Sequence, residues 1–573
     1  MSTFPVKKDD ISIVLSGAAG QGVQTVEQML THLFKAAGYN LFSTKEYMSR
    51  VRGGSNSTEL RISSHNVDAL LDRIDILFPL NCEALKHVEH RMDETTILIG
   101  EKDTILSECG ITSDNIIDIP LSEMAKEIGG AIYTNIIATG LIAALFSIDI
   151  DSIKNYLNKR FAAKGEKIVA KNHAAVLKGY TVGKNLIDNK TVSIELKKDP
   201  AIKDSMIING GDAVAMGAIA GGCNFISSYP MTPSTSVLTF LAQHAEEYEI
   251  IVEQAEDEIA AINMSIGAWY AGARGMVSTS GGGFALMTEG VSLAGIIESP
   301  MVIHLAQRPG PATGQPTRTE QGDLDLALYA GHGEFPRVIF SPGTLEDAFF
   351  LSAEAFNLAA EFQVPVFILT DQYFIDSYYT IPIIDPSQVQ IENHIVETDA
   401  DYKRFAFTGN CISPRGIPGG DGLVVVDSDE HDESGHLTED HDIRVKMVDK
   451  RMKKHDHLVE RAIPPKIDGP ADAKTLFICW GSTYTVVREA IKRIGRNDIA
   501  LASFKQVFPL HPNTALMLSK AERIISIEGN VTAQFSRLLK LYADITVDAV
   551  INKYNGLAFS VEEMEKNIIE ALS

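Results

Sequence analysis

Phe225-Ile-Ser-Ser-Tyr-Pro-Met-Thr-Pro-Ser234 is a short apolar run that stops at a cluster of turn-forming and polar residues. The pattern recurs at Ile250 to Val252, before Glu253-Gln-Ala-Glu-Asp-Glu258, and at Met301 to Leu305, before Ala306-Gln-Arg-Pro-Gly-Pro311. Helically spaced apolar residues follow the first two. Alternation of strand and helix predicts an α/β fold with parallel sheets, in which the carboxyl ends of the strands share one edge. Residues far apart in the chain meet there, and Thr232, Glu258 and Arg308 are the candidates.

Each has an ordinary explanation beside a functional one. Thr232-Pro233 before Ser, Val, Leu, Phe and Leu reads as Thr at the N-cap and Pro at the first helical position, with or without a bound anion. Glu258 opens the apolar helix Ile259 to Ala271, where an acid in the first turn suits the helix dipole. Arg308 enters a Pro- and Gly-rich loop, a surface position or one where its planar fork meets a carboxylate.

Four segments carry a resemblance: Tyr229-Pro-Met-Thr-Pro-Ser234, Glu256-Asp-Glu-Ile-Ala-Ala-Ile-Asn-Met-Ser-Ile-Gly-Ala268, Thr279-Ser-Gly-Gly-Gly-Phe284 and Gln307-Arg-Pro-Gly-Pro-Ala-Thr-Gly-Gln-Pro-Thr-Arg318. In that order the chain resembles the α subunit of the 2-oxo acid:ferredoxin oxidoreductases, and among them most the 2-oxoglutarate type. The resemblance implies that this domain is the pyrimidine-side half of a thiamine diphosphate site. A β subunit would hold the diphosphate and Mg and carry a 4Fe-4S cluster. It further implies that Thr232 and Arg308 hold the 2-oxo acid carboxylate with Thr317 beside it, that Glu258 bonds the aminopyrimidine ring, and that Tyr229 and Pro230 line the cofactor. Coenzyme A as co-substrate, ferredoxin as electron acceptor and a dimer of α–β heterodimers come with it. Pyruvate and branched 2-oxo acids stay open as substrates.

Outward from that centre, the 573 residues suggest several domains, with 45% hydrophobic and 22% charged residues as in soluble globular proteins. The net charge of −24 argues against nucleic acid. Ala131 to Ile148 is apolar but interrupted by Thr134, Asn135, Thr139 and Gly140, and reads as a buried helix rather than a membrane span. The N-terminus lacks the apolar core of a signal peptide, so the protein is expected in the cytoplasm. Cys82, Cys109, Cys223, Cys411 and Cys479 are far apart and form neither a Cys-x-x-Cys nor an even framework, so no iron–sulfur cluster and no metal are expected on this chain.

Residues 1–190 begin with a strand, Ile11 to Ser16, then Gly17-Ala-Ala-Gly-Gln-Gly22 and a helix with Val23, Val26, Leu30 and Leu33 on one face. The glycine spacing departs from the dinucleotide fingerprint. The segment resembles the family's γ domain, which implies that Arg50 and Arg52 face coenzyme A. Residues 184 to 204 read as a linker. Residues 200–383 form the pyrimidine-binding domain. Residues 384–466 are expected to be irregular, a segment that by resemblance covers the active site and puts Asp432 nearest the substrate. His431, His436 and His441 among many acids make a metal site its alternative reading, and Gly420-Asp-Gly422 lacks the Asn-Asn of a thiamine diphosphate motif. Residues 467–573 alternate strand and helix again and resemble a transketolase C-terminal domain. Two other classes compete with the enzyme reading: a nucleotide-binding, non-catalytic scaffold subunit on the Gly17 to Gly22 loop, and a nicotinamide-linked dehydrogenase.

Overall fold

The computed structural model describes residues 4–6, 8–19, 23–48, 53–111 and 113–573. The chain separates into two compact units: residues 1–208 with 376–383 and 560–563, and residues 209–375 with 384–559 and 564–573.

The first unit is built on an eight-stranded sheet whose order is Ile116–Asp118, Ile97–Gly100, Ile76–Pro79, Asp10–Ala19, Gly53–Ser63, Asn40–Glu46, Tyr378–Pro382, Ser205–Asn209. Asp10–Ala19 pairs parallel with Ile76–Pro79 and antiparallel with Gly53–Ser63. The helix Val23–Ala37 buries Val26, Leu30 and Leu33 against it, as the spacing predicted. Gly20 to Gly22 and the arginine pair Arg50 and Arg52 lie outside the described residues.

Ala131 to Ile148 does contain a buried helix, Thr134–Leu145. Among the described residues no single helix is long and apolar enough to cross a membrane; a pair bent by 115°, Leu121–Ile128 and Ala131–Leu145, reaches the length only jointly. The expected linker is not one at its start. The helix Glu166–Asp188 ends inside it, and Val192–Ile194 pairs parallel with Phe4–Val6. That helix is held by small residues that large-apolar periodicity does not report. A Cβ on Gly179 would sit 1.9 Å from the Ile137 carbonyl, and one on Gly140 would sit 2.2 Å from that of Val176, so the two helices touch backbone to backbone. The cysteine reading also needs correction. Cys82, which opens the helix Cys82–Val88, and Cys109, which ends the turn Thr104–Glu108, are disulfide-bonded across 27 residues, because both segments pack on the same flank of the sheet.

The second unit holds a seven-stranded sheet ordered Ile251–Gln254, Phe225–Ser228, Gly275–Thr279, Met301–Gln307, Pro365–Asp371, Val338–Phe340, Gln506–Phe508. The first six strands are parallel and the last is antiparallel. His304 ties three of them together: its Nδ1 meets Ser278 Oγ at 2.7 Å and its Nε2 meets Thr370 Oγ1 at 2.9 Å. Burial pushes its pKa down to about 3, so the ring is neutral.

A second sheet, ordered Lys466–Asp468, Ile499–Phe504, Thr475–Trp480, Arg523–Glu528, Ala549–Asn552, packs alongside. Residues 499–508 make two strands, since the chain leaves this sheet at Lys505 and Gln506–Phe508 joins the seven-stranded one. Buried Glu528 closes this part. Its carboxylate accepts from the backbone N–H of Phe535 and Ser536 at the start of the helix Gln534–Ala543, each at 2.9 Å, where a negative charge suits the helix dipole.

Residues 384–466 are less irregular than expected, because His441–Glu460 is a 20-residue helix. Its buried positions are Met447, Lys450, Arg451, Lys454 and Leu458, a helical face on which three of five residues are charged. Lys450 and Lys454 reach the fully buried Glu298 at 2.7 and 2.5 Å. Arg404 donates to the Glu298 carbonyl at 2.7 Å, and Arg451 forms two bonds to Glu430 at 3.0 and 2.9 Å. The hydrophobic period fades here because ion pairs replace apolar contacts. Gly420 and Gly422 serve close packing: a Cβ on Gly422 would lie 2.2 Å from the Asp399 carbonyl.

Candidate active site

The carboxyl edge of the seven-stranded sheet gathers the predicted residues from three crossovers. Glu258 opens the helix Glu258–Tyr270, and the N-cap is Asp257, whose side chain accepts from the Ala260 N–H at 2.7 Å. That cap leaves Glu258 for another task. Its side chain turns inward, 3% exposed, against Gly281 to Gly283 at the start of the helix Gly281–Leu286 that follows Gly275–Thr279. A Cβ on Gly283 would lie 2.4 Å from Glu258 Oε1 and 2.4 Å from Thr279 Oγ1, so glycine is what lets the carboxyl in. Oε1 has no hydrogen-bond partner among the described residues. Burial raises the pKa of this carboxyl and Asp257 adds to it, while a backbone N–H and Arg308 oppose.

Arg308 leaves the end of Met301–Gln307 and is 9% exposed. Its Nη1 donates to the Thr232 carbonyl at 2.7 Å, which brings two of the three candidates together. Its Nε is buried with no partner among the described residues. Burial lowers its pKa, and Asp323 and Glu258 oppose that shift, so both carboxyls lie within its electrostatic reach.

Thr232 itself is half-buried and is not the N-cap expected of it. The Ser234 hydroxyl donates back to the Met231 carbonyl at 2.7 Å, the chain is still turning there, and the helix begins only at Thr235 with Ser234 as its N-cap residue. Tyr229 is 40% exposed at the end of Phe225–Ser228, and Pro230 is half-buried beside it. Thr317 is half-buried in the Arg308 loop.

Asp432 is not among this group. Its Oδ1 accepts from the N–H groups of Ser434 and His436 at 2.8 and 3.1 Å, closing a turn. Neighbouring contacts tie its segment to the far ends of the site's helices: Phe405 N–H donates to the Glu433 carbonyl, Arg404 holds Glu298, and the Tyr270 hydroxyl donates to the Val424 carbonyl. Glu258 is at the other end of that helix, roughly 20 Å away by its 13 residues. Within this chain the segment therefore clasps the opposite edge of the sheet from Glu258. His431 is buried against Phe405, ring centroids 3.9 Å apart, and does not join His436 and His441 in a ligand group. Among the described residues the group with metal-ligand spacing is Glu361, Glu392 and His394, a largely exposed cluster elsewhere.

Four contributors were not among the predicted site residues. Asp323 ends the Arg308 loop, half-buried, with Oδ2 enclosed and unpartnered among the described residues. Gly281 and Gly283 were visible only as a motif. Gln321 locks the loop onto the second sheet: its Nε2 donates to the Trp480 carbonyl at 2.8 Å and its Oε1 accepts from Gly529 N–H at 2.8 Å. A polar residue in a polar loop gave no signal of this.

A buried carboxyl oxygen without a partner, in a recess opened by glycine, fits a ligand nitrogen that can donate or share a proton, as an aminopyrimidine does. A family model described as pyruvate flavodoxin/ferredoxin oxidoreductase, thiamine diP-bdg matches residues 216–450, the region just built. One described as pyruvate ferredoxin/flavodoxin oxidoreductase matches residues 12–182. The chain is 32% identical to a 2-oxoacid:ferredoxin oxidoreductase subunit alpha from Sulfolobus sp, over 98% of this chain and 97% of that one. It is 26% identical to the 2-oxoglutarate oxidoreductase subunit KorA of Mycobacterium tuberculosis, over 99% and 92%. A solved 2-oxoglutarate:ferredoxin oxidoreductase from Magnetococcus marinus, with 2-oxoglutarate, coenzyme A and succinyl-CoA bound, superposes with a TM-score of 0.90 at 30% identity, covering 99% of this chain and 100% of that one. With full-length likeness in sequence and in fold, the chain belongs to the family of 2-oxoacid:ferredoxin oxidoreductase alpha subunits.

Proposed function

We propose that this subunit acts on 2-oxoglutarate, and that with a β partner it converts the acid and coenzyme A to an acyl-CoA and carbon dioxide, passing two electrons to ferredoxin or running in reverse. The observation that carries the site reading is the inward Glu258 carboxyl, unpartnered at Oε1 and within electrostatic reach of Arg308 on one sheet edge. Thiamine diphosphate held by Glu258, Tyr229 and Pro230 would supply the electron sink that decarboxylation of a 2-oxo acid needs. Glu258 shares a proton with the aminopyrimidine, a general acid–base contribution on the order of 10² to 10⁴ in rate. Arg308 offers its unused N–H groups, and Thr232 its hydroxyl, to the substrate carboxylate, with Thr317 in the same loop. Tyr229 and Pro230 line the cofactor from the end of Phe225–Ser228.

The β partner holds the diphosphate, Mg and the 4Fe-4S cluster, and the assembly is a dimer of α–β heterodimers in the cytoplasm. Residues 1–190, 200–383, 384–466 and 467–573 serve as γ-like, pyrimidine-binding, clasping and transketolase-like parts, with Arg50 and Arg52 toward coenzyme A. Asp432 takes its substrate-facing role only if its turn meets another subunit's site. The likeness to a protein with 2-oxoglutarate and succinyl-CoA bound supports the choice of acid. The family models are described by pyruvate, which keeps that acid as the second reading. Acceptor reduction by the reconstituted complex with coenzyme A and either 2-oxoglutarate, pyruvate or a branched 2-oxo acid decides: the highest kcat/KM is expected for 2-oxoglutarate, and a higher value for another acid overturns the assignment.

A further inference from the structure

Asp323 stands at the end of the loop that begins with Arg308. Its backbone N–H donates to Gln307 Oε1 at 2.9 Å, and Gln307 Nε2 donates to the Thr370 carbonyl at 3.1 Å, so its main chain is fixed to the end of the strand. Gln534 holds the preceding Gly322 carbonyl at 2.8 Å. The carboxyl occupies a recess that exists because residue 281 is glycine: a Cβ there would lie 2.4 and 2.6 Å from its two oxygens. Asp323 Oδ2 and Arg308 Nε are both buried and unpartnered, and the two side chains interact electrostatically without forming an ion pair among the described residues. An ionised Asp323 would compete with any anionic ligand for Arg308, and would repel that ligand as well.

We propose that Asp323 is a positioning residue for Arg308: held as the neutral acid while the 2-oxo acid carboxylate binds, it leaves the guanidinium's unused N–H groups to the substrate. The inference rests on the reading of Arg308 given above. Burial pushes the Asp323 pKa up to about 7, Glu320 on the same loop adds to it, and Arg308 opposes. Glu258 faces Arg308 from the helix Glu258–Tyr270. Among the described residues the start of the helix Gly281–Leu286 offers Gly281, Gln534 is uncharged, and Arg537 of its helix is held by Asp325. A bound anion beside Asp323 favours the protonated form further, so substrate binding and proton uptake are linked.

Steady-state kinetics of the reconstituted complex between about pH 6 and 9 tests this. The apparent KM for 2-oxoglutarate is expected to rise above about pH 7, by up to about tenfold per pH unit, without a matching rise for coenzyme A. Asp323→Asn, which keeps the shape of the neutral acid, is expected to flatten that rise. A rise that survives in Asp323→Asn overturns the proposal, and so does a KM raised equally at every pH, which marks an ionised Asp323 as a structural partner of Arg308. Calorimetric titration of the unmodified complex with glutarate, in two buffers of different ionisation heat, needs no variant: uptake approaching one proton at about pH 8 is expected, and no uptake overturns it. Arg308→Lys separates the two levels. If it leaves the 2-oxoglutarate KM unchanged, the reading of Arg308 fails; if it raises that KM while the pH rise persists in Asp323→Asn, the role of Asp323 alone fails.

Discussion

Arg308 spends one N–H group on the Thr232 carbonyl, and that bond aims the rest of the fork. Arg308→Lys keeps a positive charge but cannot make two parallel bonds to a carboxylate. A charge-assisted hydrogen bond contributes about 1.5 to 3 kcal/mol, so kcat/KM for the 2-oxo acid should fall by roughly 10- to 100-fold. The carboxylate departs as carbon dioxide, so kcat should fall less than kcat/KM, and the constants for coenzyme A should hardly move. Varying each substrate in turn checks this; equal losses for both would indicate a distorted loop instead. Glu258→Gln should cut turnover by roughly 10² to 10⁴ while the subunit folds and assembles. The sign of its effect on stability follows from the raised carboxyl. A Glu whose folded pKa exceeds its unfolded value favours folding while protonated and loses that contribution as pH rises through the folded pKa. At neutral pH the variant, free of the buried charge, should therefore melt no lower than the parent, whereas at about pH 4 the difference should shrink. Thermal melts at the two pH values measure it.

At the scale of elements, the helix His441–Glu460 shows what binds residues 384–466 to the central sheet. Burial pushes the Glu298 carboxyl up, and Lys454 and Lys450 overcome that and hold it well below the usual carboxylate range. This contribution is present above the ordinary glutamate pKa of about 4.3 and is lost as pH falls below it. Glu298→Gln leaves two ammoniums buried without their counter-charge and should cost about 3 to 5 kcal/mol. Limited proteolysis should then cut between residues 384 and 466 sooner than in the parent, and equal rates would show that the apolar contacts of Met447 and Leu458 suffice.

The same helix shows where sequence reading works. Phe225–Ser228 and Met301–Gln307 are legible as strands because each apolar run stops at a polar or Pro- and Gly-rich cluster. His441–Glu460 buries Lys450, Arg451 and Lys454, so its period was written in charges. The break at Lys505 was hidden because Gln506–Phe508 is as buried as the strand before it, in a different sheet. Glu258 and Arg308 were candidates from their places after strands, and the resemblance singled them out. Asp323 was not, since an acid just before the helix Leu324–Tyr329 looks like a cap, and only the recess at Gly281 tells otherwise.

For the whole molecule, the second unit presents a carboxyl and a guanidinium on one edge, and a second carboxyl, Asp323, beside them. Glu258 can share a proton and Arg308 can hold an anion, yet this chain's sequence carries neither the Gly-Asp-Gly…Asn-Asn pattern for a diphosphate-bound cation nor closely spaced cysteines for a cluster. The site is proposed as half of a larger one, completed by the β partner. The most direct measurement is acceptor reduction driven by 2-oxoglutarate and coenzyme A, with thiamine diphosphate and Mg present, by this subunit alone, by the β partner alone and by the two mixed in rising ratio. Turnover is expected only in the mixture, saturating at equal amounts, and lost again with Glu258→Gln in the mixture; turnover by either subunit alone, or a mixture indifferent to Glu258→Gln, would contradict the shared site.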